Sequence, residues 1–210
     1  MKKIGSKSAL AIIFSNLEGF TKPKLMQEQY KTDSEVAASV LWSACLLGDI
    51  EQKVIADLGC GTGILGIGAL LLGSEKVFFI DSDKNALETA KNNISKVKCE
   101  NWYIGGRFKL MNNDIREVSI KSDVVIQNPP FGTKIRHNDI LFLKEAFKMA
   151  PIVYSFHKSE SRSFLEQFSA KNNCKITHIW AFKFPLKATF SFHRRQIHRI
   201  DVSCYRFEKQ

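Results

Sequence analysis

The sequence predicts an α/β fold: a seven-stranded, mostly parallel sheet with an antiparallel terminal hairpin and helices on both faces. Three observations predict it. Apolar runs of strand length alternate with helical patterns through most of the chain, and a glycine-rich turn follows the first of these runs. The last two runs adjoin with no helix between them. Repeated alternation implies right-handed crossovers and a parallel sheet covered on both faces. Two strands joined directly must instead pair antiparallel, here at the sheet edge.

Taken in order, Ala9–Phe14 reads as a helix packed on the domain. It follows two lysines, but its apolar stretch is short and Glu18 comes soon after, unlike a secretory leader. Residues 1–48 form an N-terminal helical segment and residues 49–210 the main domain, in one structural unit. Val54–Leu58 is a buried strand, and Ile64, Leu65, Ile67, Leu70 and Leu71 recur at helical spacing after the glycines. Val77–Ile80 is the second strand, ending at Asp81. Asn85–Ile94 is a helix with Leu87 and Ala90 facing inward. A third strand lies between Trp102 and Met111, interrupted by Gly105-Gly106, and Val124–Ile126 is the fourth. Leu141–Met149 is helical, Ile152–Phe156 a strand and Ser161–Ala170 a helix. Lys175–Phe184 and Gln196–Phe207 form the hairpin.

A chain of 210 residues with 44% apolar and 25% charged side chains has the balance of one folded domain. Its mean hydropathy of −0.15 and the lack of any apolar run near the length of a membrane span exclude a transmembrane helix. The five cysteines are odd in number and scattered, with no C-x-x-C pair, so neither a disulfide framework nor a metal site is expected, and the composition points to a reducing, cytoplasmic setting. The net charge of +10 is uneven. Residues 131–210 carry 15 Lys and Arg against 6 Asp and Glu, whereas the first 130 are nearly balanced. A basic last third suits a polyanion such as nucleic acid, the alternative being a solubilising surface.

Asp57-Leu58-Gly59-Cys60-Gly61-Thr62-Gly63 ends the first strand. Glycines accept positive φ and let a ligand approach the main chain, and the turn opens a helix whose amides favour polar ligand atoms. Gly61-x-Gly63-x-x-Gly66 also fits a dinucleotide fingerprint. Asp57 separates the two readings: a carboxylate beside the loop opposes a pyrophosphate, whereas it suits S-adenosylmethionine, which carries an ammonium and a sulfonium. Asp81, twenty residues after Gly61, is placed to take both hydroxyls of a ribose. Asp114 is a candidate acceptor for the adenine amine, or else a turn or helix-cap aspartate.

Asn128-Pro129-Pro130-Phe131 directly follows the fourth strand, on the edge where such sheets bind ligands. The prolines fix φ and leave the Pro129 carbonyl without a local amide partner. That carbonyl and the Asn128 side-chain oxygen together can accept both protons of an exocyclic NH₂. The amine of adenine is a poor nucleophile because its lone pair is delocalised into the ring. Two acceptors on its hydrogens favour pyramidalisation and aim the lone pair at a methyl donor, so positioning does most of the work. Phe131 would stack on the base. The alternative is a rigid proline turn with a core phenylalanine.

N-P-P-F is the signature of amino-directed methyltransferases, and the likeness extends along the chain. Gly19–Leu25, Glu28–Thr32, Asp57–Gly63, Asn128–Lys134, Tyr154–Ser159 and Phe192-His193 together resemble the methyltransferase-like family that makes N6-methyladenosine in small-subunit ribosomal RNA. The resemblance implies a Rossmann-like class I methyltransferase fold with S-adenosyl-L-methionine as cofactor. It implies that Gln29, Tyr30 and Thr32 fold over the cofactor, joining Asp57, Gly59, Gly61, Gly63, Asp81, Asp114 and Asn128. It also implies a partner, a small zinc-binding activator protein that pairs with an exposed strand edge, here expected between Trp102 and Leu110.

The basic end carries the expected nucleic-acid contacts: Lys134, His157, Lys158, Lys187, Phe192, His193, Arg194 and Arg195. Cations interleaved with aromatics suit RNA, through backbone neutralisation and stacking on unpaired bases, although Phe190 and Phe192 at period two also fit a core. The leading reading is an RNA adenine-N6 methyltransferase. The alternatives are a protein glutamine N-methyltransferase, whose substrate amide poses the same chemical problem, and a non-catalytic RNA-binding ribosome assembly factor.

Overall fold

The computed structural model describes residues 2–24, 28–131, 138–186 and 198–210, without side chains for 184–186 and 198–200. The elements run α1 (Lys7–Ser15), α2 (Ser34–Leu46), β1 (Val54–Leu58), α3 (Ile64–Leu71), β2 (Lys76–Asp81), α4 (Lys84–Cys99), β3 (Arg107–Asn112), β4 (Val124–Gln127), α5 (Asn138–Met149), β5 (Ile152–Lys158), α6 (Arg162–Lys171), β6 (Cys174–Leu186) and β7 (His198–Lys209). The sheet order is β3-β2-β1-β4-β5-β7-β6, with β1 to β5 parallel and β7 antiparallel to both neighbours. The expected seven-stranded mixed sheet is therefore present.

Local chemistry sets the element ends. The side chains of Ser6, Asp33 and Asp83 cap α1, α2 and α4, accepting from the amides of Ala9, of Glu35 and Val36, and of Asn85. Beyond the last turn of α1, the Lys31 ammonium donates to the Phe14 and Leu17 carbonyls at 2.9 and 2.6 Å, which suits the negative end of a helix. One core lies between the sheet and α1 to α4, centred on Phe14, Leu41, Ile67 and Phe79. The other packs α5 and α6 on the opposite face through Leu143, Phe147, Leu165 and Phe207.

The third strand starts only at Arg107, after the glycine pair; a Cβ on Gly106 would stand 2.3 Å from the Ser74 carbonyl oxygen. Residues 101–103, expected within an open edge, instead hold the N-terminal segment: Lys2 N–H donates to the Asn101 carbonyl at 2.9 Å and Tyr103 N–H to the Lys2 carbonyl at 2.8 Å. The hairpin also enters the sheet in reverse order, with β7 buried between β5 and β6. Its exposed outer strand carries Lys175, His178 and Lys183 and a register shift between Ile176 and His178, features that discourage pairing with other chains.

Two features bear on the site. Asp49 and Arg206 form a buried ion pair at 2.7 Å, joined by the Tyr154 hydroxyl donating to Asp49 at 2.6 Å. Their network fastens the loop after α2 to β5 and β7. In addition, β5 ends at Lys158, paired with Val202, while the β6–β7 ladder continues from Lys183↔Asp201 to Leu186↔His198. The hairpin thus overhangs the carboxyl rim of the parallel sheet by about 13 Å.

Candidate active site at the switch point

Strand order reverses between β1 and β4, and open α/β sheets bind ligands at the crevice this creates. A cavity of about 420 Å³ occupies it. Gln29, Tyr30, Thr32, Asp57, Gly59, Gly61, Asp81, Asp114, Asn128 and Pro130 all line it. Of the residues expected around the cofactor, Gly63 alone stands back, as the N-cap of α3 with φ +88°.

The glycine loop needs its glycines. Gly59 and Gly61 have φ of +67° and +53°, and a Cβ on either would come within 2.7 Å of an aromatic ring. Those rings, Phe142 of α5 over Gly59 and Phe20 of the N-terminal segment over Gly61, also line the cavity. Below the loop, Asp57 accepts from the Gly66 amide at 2.8 Å. Complete burial, opposed by that hydrogen bond and helped by the neighbouring Asp81 charge, pushes its carboxyl up to about 7. Asp81 is also raised by burial, although the amides of Asp83 and Gly61 donate to it. One buried and one half-buried carboxylate lining the same cavity form a site for a cation or a hydroxyl donor.

The segment over the cavity is fastened at several points. The Gln29 amide accepts from the Lys24 N–H and donates to Asp83, each within 2.9 Å. Asn93, fully buried on α4, donates to the carbonyls of Glu18 and Thr62 and accepts from the Glu18 amide. It thereby ties the N-terminal segment to the glycine loop. Asp114 takes the cap role weighed for it, accepting from the Arg116 amide and holding its guanidinium at 2.6 Å. That arginine depresses its carboxyl to about 2.

Asn128 leaves β4 with its amide divided. Nδ2 donates to Thr32 Oγ1 at 2.9 Å, while Oδ1 is buried with no hydrogen-bond partner among the described residues. Such an orphan acceptor calls for an explanation. Phe131 is 9% exposed and packs tilted on Tyr30, ring centroids 5.5 Å apart, so in this structure it belongs to the core rather than to an open stacking face.

His157 corrects an expectation. The alternation of β5 turns Val153, Ser155 and His157 to the α5 face, so the ring is fully buried and offers nothing to RNA. Gln127 Nε2 donates to Ser155 Oγ at 2.9 Å, Ser155 Oγ lies 2.8 Å from His157 Nε2, and His157 Nδ1 lies 3.3 Å from Asp139 Oδ2. These contacts link Gln127, Ser155, His157 and Asp139 in one chain, and it holds the start of α5 against β5. Despite its Ser-His-Asp composition its serine and histidine are shut off from solvent. Lys158, one residue on, does reach the rim, 32% exposed beside Glu160. Lys134, Lys187, Phe192, His193, Arg194 and Arg195 lie outside the described residues.

Known proteins share this architecture. A family model for ribosomal protein L11 methyltransferase matches residues 45–129. A crystal structure from Pyrococcus horikoshii, named as a candidate RNA methyltransferase, superposes with a TM-score of 0.86 at 42% identity over 98% of both chains. A zebrafish protein, the rRNA N(6)-adenosine-methyltransferase METTL5, is 34% identical over 91% of this chain and 93% of its own. The Drosophila melanogaster rRNA N(6)-adenosine-methyltransferase is 31% identical over 91% of each. The chain belongs to the METTL5-like family of rRNA N(6)-adenosine methyltransferases.

Membership in the METTL5-like family makes this cavity the candidate methyltransferase site. The sequence did not reveal Phe20, Phe142 or Asn93. Each acts through a contact with a residue distant in the chain, and only the glycines opposite the two rings hinted that something approaches closely.

Proposed function

We propose that this enzyme transfers the methyl group of S-adenosylmethionine to N6 of an adenosine in small-subunit ribosomal RNA. One observation carries the reading: the buried Oδ1 of Asn128, without a hydrogen-bond partner among the described residues, on a residue that lines the same cavity as the buried Asp57 and half-buried Asp81 carboxylates. The residues fit the cofactor. Among the described residues no cation forms a salt bridge with Asp57 or Asp81, and both carboxyls are raised by burial, which suits a ligand that brings an ammonium and ribose hydroxyls. Asp57 would face its ammonium and Asp81 its ribose, with Gly59 and Gly61 admitting it to the main chain. The cofactor supplies an electrophilic methyl. Asn128 Oδ1 accepts one amine proton, the Pro129 carbonyl is placed in sequence to accept the other, and the methylated nitrogen, then acidic, needs no strong base.

The RNA class rests on the charge of the last third and on the family. We assign the RNA contacts to Lys158 at the rim and, from the sequence between β6 and β7, to Lys187, Phe192, His193, Arg194 and Arg195. Lys134, three residues after Phe131 in the sequence, is assigned to the same RNA contact. A zinc-binding activator would pair with β3, whose outer edge meets no other strand among the described residues.

The test is nucleoside mass spectrometry after incubating the purified enzyme and S-adenosylmethionine with ribosomal RNA lacking the modification. N6-methyladenosine at one site of the small-subunit RNA is the expected product. Label appearing on a ribosomal protein glutamine, with none in RNA, would move the assignment to protein methylation.

A further inference from the structure

We propose that Thr32 is a positioning residue that sets the sense of the Asn128 amide, so that its oxygen and not its NH₂ meets the target amine. This deepens the function proposed above and rests on it. The two ends of a carboxamide have the same shape and opposite polarity. One sense offers an acceptor to the hydrogens of an incoming amine, and the other confronts them with more hydrogens. Rotation by half a turn would therefore abolish the interaction without moving a backbone atom.

The structure shows how one sense is chosen. Asn128 Nδ2 donates to Thr32 Oγ1 at 2.9 Å, across 96 residues of sequence, and Oδ1 is the end left over, buried and partnerless. Thr32 is itself buried, at 6% exposure, and its neighbours are anchored. Lys31 holds the carbonyls of Phe14 and Leu17, and Asp33 caps α2 through the amides of Glu35 and Val36. The hydroxyl is thus fixed in place by α1 on one side and α2 on the other, the rigidity an orienting group requires. A hydroxyl has a single proton to give. In the observed arrangement Thr32 Oγ1 uses a lone pair on the Asn128 NH₂, which leaves the amide oxygen as the end available to an incoming amine. Gln29, Tyr30 and Thr32 line the same cavity wall, so the segment that covers the cavity also arms the residue that works in it.

The experiment compares Thr32→Val, which keeps the shape and removes the hydroxyl, with Thr32→Ser, which restores it. In methyl transfer to ribosomal RNA, Thr32→Val should lower kcat by about 10- to 100-fold, the usual penalty for misdirecting a reacting group. KM for RNA and the Kd of S-adenosylhomocysteine by calorimetry should stay within about threefold, and Thr32→Ser should recover most of kcat. Unchanged kcat in Thr32→Val would overturn the proposal, as would cofactor affinity falling in step with kcat. A second readout does not depend on activity. The side-chain NH₂ of Asn128, identified in ¹⁵N spectra by its loss in Asn128→Ala, should exchange with solvent at least about tenfold faster in Thr32→Val and return to the wild-type rate in Thr32→Ser. Equal exchange in all three would overturn the positioning role even if the enzyme is active. Slow exchange with an enzyme that methylates no adenosine would keep that role and remove the function assigned to the site.

Discussion

Replacing Asn128 by alanine should abolish catalysis while leaving stability unchanged or slightly raised, and the structure explains why the two separate. The substitution removes one hydrogen bond, Nδ2 to Thr32 Oγ1, a loss of about 1 kcal/mol. It also removes the buried, partnerless Oδ1, which costs the folded protein about 1–3 kcal/mol. The terms oppose each other, so the net change should lie between about zero and a gain of about 2 kcal/mol. For a chain of this length that is an unchanged Tm or a rise of a few degrees, at about 2–4 °C per kcal/mol. Catalysis has no such compensation. Loss of one preorganised polar group on a reacting centre typically lowers kcat by about 10² to 10³. Thermal melts beside single-turnover methylation of ribosomal RNA check both halves. A fall in Tm beyond about 10 °C would show that Asn128 is a structural residue, and activity within tenfold of wild type would remove its role in aiming the amine.

Three further outcomes follow from the same geometry. Because burial raises the Asp57 carboxyl to about 7, the protonated form favours the folded empty protein, and this contribution, roughly 4 kcal/mol for a shift of about three units, is lost as pH climbs from the ordinary carboxylate range through 7. A cationic ligand reverses the preference, so S-adenosylhomocysteine, which keeps the ammonium, should bind more tightly as pH rises across about 6 to 8 and release a proton; calorimetry in buffers of different ionisation enthalpy measures it, and no release would exclude Asp57 as the counter-charge. Gly61→Ala forces a Cβ within 2.7 Å of Phe20 at φ +53°, whereas Gly48→Ala meets nothing within 4 Å at φ +77°; both should lose about 1–2 kcal/mol of stability to backbone strain, but Gly61→Ala alone should weaken cofactor binding, by about tenfold or more. Arg206→Ala leaves Asp49 buried without its cation, which should cost about 3–5 kcal/mol and lower Tm by about 10 °C, while Arg206→Lys should recover part of it.

Strand positions were legible because parallel strands buried on both faces read as short apolar runs: Val54–Leu58 is found with the expected bounds, and the fourth strand differs by one residue. The order of the hairpin was not, since nothing local tells β7 to enter before β6. The cavity was legible through backbone chemistry, glycines at positive φ and an asparagine ahead of two prolines, which constrain the chain wherever they occur. His157 was misplaced because its charge type was weighed before its parity on β5, where the alternation through Val153 and Ser155 already pointed inward. Thr32, Asn93 and the two rings act through contacts across tens of residues, and no spacing rule encodes such pairs.

The place of β7 bears on how the molecule is made. A ribosome delivers β5 and β6 before the strand that belongs between them, so for a time the nascent sheet ends in an unpaired apolar border, and β6 has nowhere to dock. Arg206 arrives with that final segment, and until then Asp49 and the Tyr154 hydroxyl wait without it. A chain cut before residue 198 should therefore resemble an open zipper, prone to clump with its siblings and in need of a chaperone's shelter.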